Sequence, residues 1–189
     1  MHNTKPSLLL LLSLLALLNP ACSSRYGDSD LSERQVLTMT NPQLTISHTT
    51  PITWYSKLAL HSATPPGDEA GEILTYIQDL ITNSLRNKGF NLTEKPSESQ
   101  YQLVALAMVG NNAANQKILE LFKLFPGLAE KGGYQQGTLL VAIVDVDQKK
   151  AAWRGSVQMF VDPSLPKELR LERINGAVER LLQHLKPHA

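Results

Sequence analysis

The chain has 189 residues, 42% hydrophobic and 19% charged, with a formal net charge of +1 and a single cysteine. That composition suits one ordinary globular unit and excludes a disordered, collagen-like or disulfide-stapled chain. Its charge balance, with no run of five like charges, excludes a surface built to coat nucleic acid.

In chain order, the first feature is the Leu-rich block from Ser7 to Leu18. It is about a dozen residues long, against the ~20 needed to span a bilayer. Lys5 precedes it and the small residues Ala21 and Cys22 follow it. A positive start, a short apolar core and a small-residue exit predict a secretory signal peptide over residues 1–21. A polar, aperiodic run follows Cys22, so residues 22–34 read as a flexible tether and residues 35–189 as one folded unit. A lone cysteine at a signal-peptide exit, with Ala21 directly before it, resembles the lipid-attachment site of bacterial lipoproteins. The resemblance implies a triacylated Cys22, a membrane partner through that lipid and, with Ser23 next, the periplasmic face of the outer membrane. Acylation at this level holds firmly, since each buried methylene contributes about 0.8 kcal/mol. Ordinary cleavage after Ala21, leaving a soluble protein, is the alternative.

Gln35–Met39 and Gln43–Ser47 are short strand candidates on either side of Asn41-Pro42, and Ile52–Leu60 is a stronger one. Asp68 is a candidate N-cap for a helix whose Ile73, Ile77, Leu80, Ile81 and Leu85 share one face, with Gly89 as its stop. Tyr101–Val109 is a nearly continuous apolar strand. Strand, helix and strand predict a parallel β-α-β crossover. Within Gly110–Gly137, residues Ile118–Phe125 predict a short helix that offers Phe122 and Phe125 to a partner or caps the core.

Two strands around Asp147-Gln148-Lys149-Lys150 predict an antiparallel hairpin. On its return strand Ala151, Trp153, Gly155, Val157 and Met159 alternate with Ala152, Arg154, Ser156 and Gln158, so one face is buried and the other largely wet. A last helix, about Lys167–Leu185, stacks Leu171, Ile174, Val178, Leu181 and Leu185. These elements predict an α+β fold: a two-layer α/β sandwich with a mixed sheet and both helices on one face.

The stretch Tyr134–Ser156, with Gly137-Thr138-Leu139, Asp145 and Trp153-Arg154-Gly155, resembles a bacterial lipoprotein family known as domain of unknown function 4136. The resemblance covers about Ile52–Lys186 and implies the same envelope location and fold, without an activity.

Chemistry-bearing patterns are sparse. Asp145 and Asp147 could hold a divalent cation for a hydrolase, but two acids at a strand end more simply serve a turn. His48, His61, His184 and His188 have no ligand spacing, and no nucleotide or nucleophile motif is present. No cofactor is therefore expected and the chain is not expected to be an enzyme. Arg154, flanked by Trp153 and by Gly155, which admits close approach, is a candidate receiver for a carboxylate or phosphate. The expected binding surface is Arg154, Trp153, Tyr134, Phe122 and Phe125. The expected role is a non-catalytic binding or assembly module engaging another envelope protein; a soluble carrier of a small apolar ligand is the alternative, and needs an internal cavity.

Overall fold

The computed structural model describes residues 33–62, 67–109 and 136–188. The elements run β1 (Glu33–Thr40), β2 (Pro51–Trp54), β3 (Ala59–Ser62), α1 (Ala70–Asn87), β4 (Asn91–Leu92), a 3-10 turn (Pro96–Glu98), β5 (Tyr101–Val109), β6 (Gln136–Asp145), β7 (Ala151–Phe160) and α2 (Lys167–Leu182). All seven strands join one mixed sheet in the order β1-β7-β6-β5-β2-β4, with β3 also on β5. β5, β6, β7 and β1 pair antiparallel, whereas β2 and β3 lie parallel to β5. The expected crossover through α1 and the expected hairpin are both present. The fold is the α+β arrangement that the periodicities predict, with α1 and α2 side by side over one face.

The central strand is apolar almost throughout, and its burial alternates: Tyr101, Leu103, Ala105 and Ala107 are buried toward the helices, and the residues between them are half-buried. Ile77, Ile81 and Leu85 of α1 meet Ala177, Val178, Leu181 and Leu182 of α2 in the same core. Each such side chain contributes about 1.5–3 kcal/mol by leaving water. The stop of α1 follows from Gly89, which adopts φ +89°. Its N–H donates to the Arg86 carbonyl, and that of Phe90 reaches back to Leu85. This is the paired closure of a Schellman motif, and buried Phe90 packs on the same core as Leu85.

Four expectations need correction. Gln43–Ser47 forms no strand; it holds one isolated bridge, Ser47 to His188. Leu44 and Ile46 are nevertheless buried, so their alternation records burial without strand pairing. Ile52–Leu60 is interrupted: Trp54 pairs with Leu103 but Ala59 with Leu106, so Tyr55–Leu58 bulges out of register. The Gln78 side chain of α1 accepts the orphaned Leu58 N–H at 2.9 Å, and Trp54 donates its indole N–H to Thr82 at 3.0 Å. α1 is preceded by Glu69 rather than by a capping Asp68, and α2 stops at Leu182.

Candidate functional site

The outward face of β5, β6, β7 and β1 is the first candidate. Direct cross-strand partners share a face, so the register sets Met39 beside Arg154, Arg154 beside Ala142, Leu37 beside Ser156, and Ser156 beside Leu140. Neither helix packs there. The sequence expectation of a wet face does not hold: Leu37, Val104, Leu106, Ala142 and Val144 line it half-buried, with Leu140 and Ser156 buried at its centre. A register shift between Ile143 and Val144 explains one further departure. It turns Ala152 into the core instead of outward.

Arg154 lies where the sequence places it, on this face, with its Nη2 donating to Met39 Sδ at 3.1 Å. It borders a recess of about 450 Å³ formed with Met39, Ala142, Val144, Lys149 and Lys150. Among the described residues that line it, the charged ones are the three cations Arg154, Lys149 and Lys150. Trp153 is not part of the surface. Only 3% exposed, it belongs to the core. Gly155 also faces inward: a Cβ there would lie 2.7 Å from Leu181 Cδ1 and 2.7 Å from Trp153 Cη2. The missing side chain admits a helix and an indole ring, not a ligand. Cys22, Phe122, Phe125 and Tyr134 lie outside the described residues.

The two acids of the hairpin serve its turn. Asp145 is 4% exposed, and its Oδ1 accepts the backbone N–H groups of Asp147 at 3.0 Å and Gln148 at 2.7 Å. This is an Asx-type closure. It lets Lys149 take the left-handed φ of 52° that completes the loop. Among the described residues no group of three or more His, Cys, Asp or Glu is placed to hold a metal ion.

Beside Asp145, Tyr101 is buried and donates its hydroxyl to the Thr45 carbonyl at 3.3 Å. Burial, and then the Asp145 charge, hold its phenol above the usual tyrosine range. A raised folded-state pKa contributes stability that is complete below the unfolded value, about 10, and is lost as pH climbs through the folded one. Unfolding free energy measured by urea titration is therefore expected to fall above about pH 10, and Tyr101→Phe to flatten that fall.

A second candidate escaped the sequence reading. A cavity of about 340 Å³ lies between the sheet and the N-terminal halves of α1 and α2. Ile73, Leu74, Ile77, Ala107, Leu139 and Ile174 supply apolar walls. Arg170 and Arg173, one turn apart on α2, also line it. Arg170 donates from Nη2 to Glu69 Oε2 at 2.6 Å, and Lys167 meets Glu72 at the same distance. These pairs join the first turns of the two helices. The Arg170 bond holds the Glu69 carboxyl below the usual range.

No family model matches the chain, and no curated protein does. Among solved structures it is similar to the PelC dodecamer from Paraburkholderia phytofirmans, at 14% identity and TM-score 0.48, covering 81% of this chain and 99% of that one. It is also similar to a Xanthomonas campestris protein of family DUF330, at 12% identity and TM-score 0.39, over 80% of this chain and 89% of that one. A third is a DUF4136-family protein from Bacteroides thetaiotaomicron, at 12% identity and TM-score 0.48, over 77% and 94% of the two chains. The last carries the name of the family that the stretch Tyr134–Ser156 resembles.

Proposed function

We propose that this protein is a non-catalytic binding and assembly module of the bacterial envelope, fastened through lipidated Cys22 at the periplasmic face of the outer membrane. The outward sheet face engages another envelope protein, one presenting an apolar patch that carries carboxylates. The observation that carries this reading is the makeup of that face: apolar side chains across four antiparallel strands, neither α1 nor α2 over them, and, among the described residues, Arg154, Lys149 and Lys150 as the charged lining of one recess. An apolar centre supplies binding energy and the cations supply orientation and partner choice. The lipid sets position by confining the face to one membrane surface.

In-cell photocrosslinking tests it. A photoreactive residue replacing Met39 is expected to give a discrete adduct that weakens about tenfold when Arg154 is changed to Glu. The same probe at exposed Glu179, on α2, is expected to give none. Equal labelling from the two positions would contradict the proposal.

A further inference from the structure

We infer that the cavity between the helix pair and the sheet is a binding site for a single-chain amphiphile with an anionic head, of the class of medium-chain carboxylates. The site is independent of the outward sheet face, since it lies on the opposite side of the sheet.

Volume sets the size of the tail. At about 30 Å³ for each water-sized group, the cavity's roughly 340 Å³ takes about ten or eleven such groups. Its walls come from Leu and Ile side chains of both layers, and such a lining favours a hydrocarbon chain. The polar end is specified by Arg170. Its Nη2 is committed to Glu69, but its Nε–H is buried with no acceptor among the described residues. Buried guanidinium hydrogens are nearly always matched; Nε lies beneath the cavity wall, and a ligand carboxylate becomes its acceptor once the half-buried Arg170 side chain turns toward the cavity it lines. Arg173, three residues along the same helix, brings a second cation to the same lining. Asp162, also at the lining, is occupied with the N–H and hydroxyl of Ser164. Neither helix has a side-chain N-cap. The Ala70 N–H at the start of α1 is taken by the Gly67 carbonyl, so what the two first turns contribute at this end of the cavity is the partial positive charge of their helix dipoles.

The test is isothermal titration of the whole chain from residue 22 on, carrying Cys22→Ser so that no detergent is needed. Decanoate and 1-decanol are the probes. Decanoate is expected to bind at least tenfold more tightly than decanol, and Arg170→Met to abolish that preference while decanol binding persists. Leu74→Trp, which fills the cavity from α1, is expected to remove both. Absence of decanoate binding to the Cys22→Ser chain would overturn the inference. So would unchanged binding in a Leu74→Trp chain that melts as that chain does. If Leu74→Trp does not fold, Arg170→Lys decides: it keeps the charge facing Glu69 but lacks the Nε–H. A tenfold loss of decanoate affinity supports the site, and unchanged affinity overturns it.

Discussion

Gly155→Val is expected to leave the chain unfolded at room temperature, and Gly155→Ala to lower its unfolding free energy by roughly 1–3 kcal/mol. The cause is local crowding. Even a methyl group at this position would approach Leu181 Cδ1 and the Trp153 ring at 2.7 Å, closer than carbon atoms can pack. Leu181 and Trp153 are both buried in the core, so neither can swing away into solvent. α2 must lift from β7 to make room. The larger branched side chain requires more displacement than a stability of about 5–15 kcal/mol sustains. Urea unfolding followed by tryptophan fluorescence measures the alanine variant directly. A loss within about 0.5 kcal/mol, the range of an ordinary surface change, would show that Gly155 is not the point where helix and sheet meet most closely.

Asp145→Ala is expected to cost roughly 2–4 kcal/mol, from two charge-assisted hydrogen bonds of about 1.5–3 kcal/mol each that do not add fully. Both donors, the N–H groups of Asp147 and Gln148, lose their acceptor. The left-handed Lys149 loses the closure that holds it in place. Asp145→Asn keeps one carbonyl oxygen in the same position and is expected to recover more than half of the loss. Asp147 is exposed at the loop tip and accepts no such bond from the described residues, so Asp147→Ala is expected to be neutral. This ordering separates the turn from a metal site, where loss of either carboxylate would act alike. Comparable destabilisation by both alanine variants would contradict the turn assignment.

The layered architecture was legible because each main element carries one clean signal. β5 is a nearly continuous apolar run, α1 stacks at 3.6, and Gly89 sits where the left-handed stop is needed. What failed to read correctly depends on neighbours distant in sequence. Leu44 and Ile46 alternate like a strand, yet what they answer to is the core beneath them, and no strand lies alongside. Ile52–Leu60 looks continuous because its composition is strand-like throughout; only the match to β5 reveals that Tyr55–Leu58, four residues, stand opposite two, Val104 and Ala105. The outward face of β7 read as wet from Arg154, Ser156 and Gln158. Its apolar character comes from Leu37, Val104, Leu106 and Val144, which three other strands bring alongside.

The binding residues divide in the same way. Arg154 could be placed by alternation alone, and the same alternation already set Trp153 on the helix side, where the structure buries it. The cavity had only a faint local signal. Arg170 and Arg173 flank the apolar stripe of α2 as solvated cations commonly do, and only the gap beneath α1 and α2 gives them a shared space. The sequence clue that could have drawn attention is the pair of cations one turn apart beside Leu171 and Ile174, close to the start of a helix lacking a capping side chain.

The central claim, an envelope module held by its own lipid, is tested most directly by the intact mass of the protein extracted from its own membranes, with Cys22→Ala as control. The account predicts a chain beginning at Cys22 and heavier by a diacylglyceryl group on Sγ and a third acyl group on the N-terminal amine, found in the outer-membrane fraction, with Cys22→Ala lacking that increment. An unmodified chain beginning at Cys22 and recovered in the soluble fraction would contradict it.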